Sequence, residues 1–429
     1  MLPLETSVTA SAPGFRRSAA LLGVGFLVTG LGQPLSLGGL PLNIYLKEHL
    51  HFLPPAVALF GLLGGAPYYF KPLAGMLADG LPLWGTRRRG ALLLCGALAM
   101  LLWLLLALLP HRYVFLLGLT ISLSAVVMTA SAIFGGFLVE QSARYAAAGR
   151  LSSLRVVVEG VGSLAGSLLG GRLAAHDLGW TAAVNMGLFA AMIVAVWHLL
   201  PERVAAKRAD WRVTQTEWRG QMASLRNAPA LWAVAFGLFL VRLAPGFGTP
   251  LLYIQLDRLH FTKPFIGVLG AVFAGCGGAA AFAFFALCKR LPLRTLIAGG
   301  VAGHVLTTLL YLGYNSPVTA LTISALSGLS DALAVVAILS AAARATPTAC
   351  AALGYGIVAS LYRVAYGISD VLGSWLYGTR HLPFTDLVWL NAGTTLLALP
   401  ILFLLPRSLL AGRDGESIGQ ESEGLKTPR

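Results

Sequence analysis

The sequence predicts an all-α membrane protein of twelve transmembrane helices, arranged as two pseudo-symmetric six-helix bundles. Three observations carry this prediction. Of the 429 residues, 57% are hydrophobic and only 11% charged, whereas soluble domains run near 25% charged. Apolar stretches recur from residue 18 to residue 405, and a spanning helix needs roughly 20 mostly apolar residues. Segments of the first half also recur in the second at an almost constant offset.

Hydropathy places the spans at 18–46, 55–78, 90–110, 113–138, 151–173, 180–200, 230–255, 264–287, 293–314, 318–343, 348–377 and 384–405. The first is read as an uncleaved span, too long for the apolar core of a signal peptide although Arg16 and Arg17 precede it. The long polar interval at 201–229 divides six spans from six. This gives a tail at 1–17, a bundle at 18–200, a central loop at 201–229, a second bundle at 230–405 and a tail at 406–429. The 50 glycines and 22 prolines suit membrane helices, which hold more of both than soluble ones. Cys95, Cys276, Cys288 and Cys350 sit in or beside apolar runs with no CxxC, so they read as small core residues.

Charge sets the orientation. With both termini in the cytoplasm, only Lys47, Arg112, Arg172, Arg258, Lys263 and Arg380 of the 31 Lys and Arg residues fall in outer segments. Four more lie inside spans, and the rest are cytoplasmic, as positive-inside topology requires. The net charge of +14 is thus explained by topology and does not call for a nucleic-acid partner.

The repeat is clearest in spans five and eleven. At an offset of 207, Ser153, Leu154, Val157, Gly160, Gly166, Ser167 and Gly171 recur as Ser360, Leu361, Val364, Gly367, Gly373, Ser374 and Gly378. Leu81-Pro82-Leu83 after span two recurs as Leu291-Pro292-Leu293 after span eight. Parallel six-helix halves mark the major facilitator architecture, with substrate near the midplane between them. Gly162, Gly166 and Gly170 form a small-xxx-small ridge on which another helix can pack closely.

The loop after span two carries the most specific motif. KPLAGMLADGLPLWGTRRR, Lys71 to Arg89, resembles the signature of the folate–biopterin transporter family of the major facilitator superfamily, in the spacing of Lys71, Pro72, Gly75, Asp79, Pro82, Gly85 and the arginine run. LVEQSAR at 138–144 and RLSSLRVVVEGVGSLAGSLLGG at 150–171 are similar to further segments of that family. The resemblance covers nearly the whole chain and implies a carrier of folates or pterins. Aligned on Glu140, the chain has Ser131 and Gly135 where that family carries span-four aspartates, and Ala78 replaces its usual serine. These departures bear on proton coupling and on folate as the substrate.

Ionisable side chains inside a bilayer are costly, so they are functional candidates. At about 1.5 Å per residue, Arg242, Asp331 and Arg363 stand roughly 18–22 Å into their spans, near the middle of a roughly 30 Å core. Two midplane arginines can clamp a carboxylate or phosphate bidentately. Arg242, Arg363 and Lys71 are therefore the expected substrate contacts, with Tyr362 and Tyr366 as a stacking face. The competing expectation is that Arg363 neutralises Asp331 on the neighbouring span. Glu159 and Asp331 are the proton-coupling candidates, and Arg155 can pair with Glu159 at i,i+4. His304 could titrate or simply pack. Asp79 with Arg87, Arg88, Arg89 and Arg155 forms the expected gating set, since an aspartate at the membrane face can pair with such arginines.

No Walker A sequence, HExxH, GxSxG or CxxC occurs, so the chain is read as no enzyme and as needing no cofactor or metal. The expectation is a monomeric secondary transporter of a small organic anion, folate or a pterin, working by alternating access with proton coupling. It would lie in a cell membrane (the inner one if bacterial), with the bilayer and the solute as its partners. A carrier or exporter of another solute, and a non-transporting receptor or scaffold, remain the alternatives.

Overall fold

The computed structural model describes residues 13–70, 86, 88–109, 112–145, 147–200, 219–220, 222–288, 290–347 and 350–403. The described residues are overwhelmingly helical and contain no strand. Contacts divide the chain into two compact units. The first is Met1–Trp218 with Thr249–Ala271, and the second is Arg219–Gly248 with Val272–Arg429.

In the first unit the helices are α1 (Pro13–Leu31), α2 (Gly39–Glu48), α3 (Pro54–Gly64), α4 (Arg89–Leu108), α5 (Tyr113–Arg144), α6 (Ala148–Leu173) and α7 (Leu178–Leu199). A 3-10 turn, Ala66–Phe70, follows α3. The remaining helices are α8 (Pro229–Arg242), α9 (Gly248–Tyr253), α10 (Lys263–Leu287), α11 (Leu293–Leu310), α12 (Pro317–Ala345), α13 (Ala351–Gly378) and α14 (Phe384–Phe403). Helix α9 runs into a π turn, Ile254–Arg258. Among the described helices, seven are long and apolar enough to cross a membrane: those in α4, α5, α6, α7, α10, α11 and α12.

Start signals are local. Pro54, Pro229 and Pro317 sit in first turns, where the missing N–H costs nothing. Ser316 accepts from Thr319 N–H while the Thr319 hydroxyl accepts from Ser316 N–H, a capping box that opens α12.

Two expected spans break into two α-helices each. The run expected at 18–46 breaks at 32–38, between α1 and α2, and the run expected at 230–255 breaks at 243–247, between α8 and α9. Pro34 and Gly38 stand in the first gap, Pro245 and Gly246 in the second. Proline removes a helical donor and clashes with the preceding turn. Hydropathy windows average over such interruptions, so both runs read as continuous.

Three helix ends share one device. His51, His260 and His381 have φ of 54°, 49° and 54°, the left-handed region usually left to glycine at a helix end. Beyond each, an N–H reaches back six residues: Phe52 to Leu46 O (3.1 Å), Phe261 to Gln255 O (2.8 Å) and Leu382 to Leu376 O (3.0 Å). Leu50-His51-Phe52 and Leu259-His260-Phe261 are also the same tripeptide at an offset of 209.

Each unit has its own core. Leu21, Phe26, Trp103, Phe134 and Phe189 pack in the first, and Leu231, Val234, Ile297, Ala337 and Val358 in the second. Large apolar side chains also face outward, among them Val114, Phe282 and Leu397, each more than 70% exposed. An outside this apolar suits lipid, where close packing rather than water exclusion holds helices together.

Candidate functional site

The second unit places one charge cluster among α8, α11, α12 and α13. Arg242 is the last residue of α8, where a cation is favoured by the negative end of the helix dipole. Its Nη2 donates to Asp331 Oδ1 of α12 at 2.6 Å. The two side chains are only 12% and 19% exposed. The guanidinium lies 4.9 Å from the ring centroid of Tyr362 on α13, close enough for cation–π attraction. His304 Nδ1 of α11 stands 3.7 Å from the same Asp331 oxygen, too far for a hydrogen bond. Next to this cluster the Thr307 and Ser330 hydroxyls share a 2.8 Å hydrogen bond that ties α11 to α12.

The backbone break after Arg242 belongs to this site. Irregular backbone at membrane depth is tolerated only where protein or a water-filled cavity satisfies it. Here Ser369 Oγ donates to Ala244 O, Asn391 Nδ2 donates to Pro245 O at 2.8 Å, and Gly246 N–H donates to Ser369 O at 2.8 Å. Gly373 on α13 lets the loop approach so closely that a Cβ there would collide with the Gly246 carbonyl. Reasoning from charges misses Ser369, Asn391 and this crossing. The visible signal was Leu-Ala-Pro-Gly-Phe-Gly inside an apolar run, since Gly/Pro-interrupted spans mark binding sites in such folds.

The first unit holds a break of its own, between α1 and α2. Gly32 N–H donates to Val28 O at 2.7 Å, Leu37 N–H to Leu31 O at 3.3 Å, and Gln33 Nε2 to Thr29 O at 3.2 Å. The glycine ridge of α6 packs against it: Gly162 faces Leu27 and Leu31, Gly166 faces Leu31 and Ser36, and Gly170 faces the Leu37 carbonyl. The helix that uses the ridge is therefore α1, together with the loop that ends it.

The other expected site residues are dispersed. Arg363 is exposed on α13, and Arg242 is a cation that bonds Asp331. Tyr366 is exposed at 57%, one turn beyond Tyr362. Glu159 belongs to the first unit and pairs with Arg155 within α6 at 2.8 Å, both side chains well exposed. Arg155 also lies 5.0 Å from the ring centroid of Phe26. Arg88 donates to Glu140 of α5 at 2.7 Å, and Arg89 donates to Trp197 O of α7 at 3.1 Å while stacking 4.3 Å over its ring. Lys71, Asp79 and Arg87 lie outside the described residues. Ser131, at a position where the resembled family carries aspartate, is buried on α5.

The segment 249–271 is bound to the first unit by reciprocal ion pairs. Lys47 pairs with Asp257, and Lys263 Nζ reaches Glu48 Oε2 at 2.6 Å. The Tyr253 hydroxyl donates to Phe52 O. Gly171 and Gly267 cross so tightly that a Cβ on either would lie 2.6 Å from the Cα of the other.

The profile of the BT1 family matches residues 30–422. A folate-biopterin transporter of Synechocystis sp. is 27% identical over 393 residues, which span 87% of this chain and 79% of that protein. Crystal structures of the nucleoside transporter NupG (TM-score 0.66, 13% identity, 92% of this chain and 99% of that one) and of a D-xylose-proton symporter (TM-score 0.68, 13% identity, 91% and 97%) share the fold.

Proposed function

From the premise that the chain belongs to the BT1 family, and is thus a multi-pass membrane transporter and not an enzyme, we propose that it carries a small organic anion coupled to protons. The folate-biopterin transporter to which it is similar makes a folate or a pterin the first solute to test. The twelve-span arrangement in two repeated halves is part of the same proposal. It is supported by Gly166 and Gly373, which occupy matching positions of the repeat and face the two helix breaks, each within its own unit. Both termini are assigned to the cytoplasm, and the carrier is read as a monomer.

One observation carries the mechanism: Asp331 occupies the guanidinium that an anionic solute would need. A solute carboxylate and Asp331 compete for Arg242. Protonating Asp331 removes the competitor, and a protonated His304 would draw the carboxylate away from Arg242. Both protonations act in the same sense, so proton uptake and anion binding favour each other. Reciprocity of such linkage gives cotransport. The Tyr362 face beside the guanidinium offers an apolar wall for a flat ring. Lys71, Arg363 and Tyr366 remain proposed substrate contacts, Glu159 a second proposed proton site, and Asp79, Arg87, Arg88, Arg89 and Arg155 proposed gate residues.

The test is solute binding and proteoliposome uptake of folate, reduced folate and biopterin at pH 5.5 and 7.5. Binding should tighten at the lower pH. Asp331→Asn should make affinity independent of pH and abolish proton-driven accumulation while leaving solute exchange. Binding that weakens at low pH, or a variant that still accumulates solute, rejects the mechanism. Ser131 and Gly135, in place of the family's aspartates, favour a second reading: the same fold and coupling serving a different organic anion. Binding of none of the three compounds by monodisperse protein would select it.

A further inference from the structure

A polar cavity lies in the first unit, lined by residues other than those of the break at 32–38. It encloses about 290 Å³ and opens between the start of α1, the start of α4 and the ends of α5 and α7. Charge bias assigns this end of the helices to the cytoplasm. Among the described residues, Arg17, Arg88 and Arg144 line it with one carboxylate, that of Glu140, so the described lining is positive in excess.

Arg17 and Arg144 line the cavity from exposed positions, whereas Arg88 is fixed. Arg88 is 5% exposed, held by Glu140 at 2.7 Å and set 5.7 Å from the Phe137 ring centroid. Arg144 lies over Tyr145, whose ring packs edge-on against Phe15 at 5.5 Å. Ser18 Oγ donates to Gln141 Oε1 at 3.1 Å, both side chains buried, which fixes α1 against α5. Among the described residues, no carboxylate pairs with Arg17 or Arg144. Phe137, Leu199 and Leu200 supply an apolar wall beside the arginines. Guanidinium groups match phosphate oxygens bidentately, and basic pockets between transmembrane helices on the cytoplasmic side suit anionic headgroups.

We propose that this cavity binds a phosphate-bearing anion through Arg17, Arg88 and Arg144, with the apolar wall beside the acyl portion when the phosphate belongs to a lipid. The ligand chemistry is the phosphate group, whether it belongs to an anionic phospholipid or to free phosphate. Occupancy would cross-link α1, α4 and α5 at one end of the unit, independently of transported solute.

The test is a titration of the full-length detergent-solubilised protein with short-chain phosphatidylglycerol, short-chain phosphatidylcholine and inorganic phosphate. Arg17→Gln/Arg144→Gln is compared with Arg112→Gln/Arg172→Gln, which removes the same charge from exposed positions elsewhere. Arg17→Gln alone guards against misfolding of the pair. Wild type should bind phosphatidylglycerol more tightly than phosphatidylcholine. The pocket pair should weaken it about tenfold or more, and the control pair should not. Arg17→Gln alone should give an intermediate loss. The same loss seen with inorganic phosphate and not with phosphatidylglycerol identifies free phosphate as the source. Equal binding by wild type and the pocket pair for both ligands, or equal loss in the control pair, overturns the proposal.

Discussion

Arg242 and Asp331 were visible in the sequence as charges at membrane depth, but their pairing was not. Depth along a span says nothing about which face meets which neighbour, and Arg363 stood at a similar depth. The deciding fact is that α8 ends at Arg242 and delivers its guanidinium to α12. Removing one partner strands a largely buried charge. Arg242→Gln should therefore lower stability by about 2–4 kcal/mol, and adding Asp331→Asn should recover most of that loss. Thermal unfolding in detergent checks both. The three left-handed histidines make a prediction of opposite sign. A non-glycine residue pays about 1 kcal/mol or more in this region. His381→Gly should thus stabilise the protein by about 0.5–1 kcal/mol, an upward shift in the same assay.

At the scale of elements, most helix boundaries followed from hydropathy and first-turn prolines, and α4, α7 and α10 begin within two residues of expectation. The two interrupted spans did not follow, because apolar side chains on both sides of a break average to the hydropathy of one helix. The information was local, in the Pro-Gly pairs and in the recurring Leu-His-Phe that ends both runs. The glycine ridge was legible, whereas its partner had to come from the fold. These crossings predict a sharp contrast between glycines. Gly373→Ala forces a Cβ into the Gly246 carbonyl and should cost about 3 kcal/mol or more, read as lost monodisperse yield. Gly393→Ala on α14 meets nothing within 4 Å and should be neutral or stabilise by about 1 kcal/mol.

For the whole molecule, the sequence suggests a repeat of halves, which belongs to the proposal, whereas the grouping of residues 249–271 with the first unit was not legible in it. It depends on pairs more than 200 residues apart: Lys47 with Asp257 and Glu48 with Lys263. The signature loop, which made the family recognisable, contributes Lys71, Asp79 and Arg87 outside the described residues. A charge swap tests the long-range tie. Lys47→Glu or Asp257→Lys alone should slow transport, and the two together should restore it towards the wild-type rate. A double variant no better than either single change would separate this pair from the working cycle.

The tie also has a consequence for biosynthesis. The chain leaves the ribosome from its N-terminus, so α1 to α7 enter the bilayer before residues 249–271 exist. Until those residues arrive, Lys47, Glu48 and the Gly171 edge have no partner from that segment. A gene split within codons 201–218 would make a first fragment that waits in this state. Its partner would bring the missing segment at its own beginning, so the two should mature only when produced together.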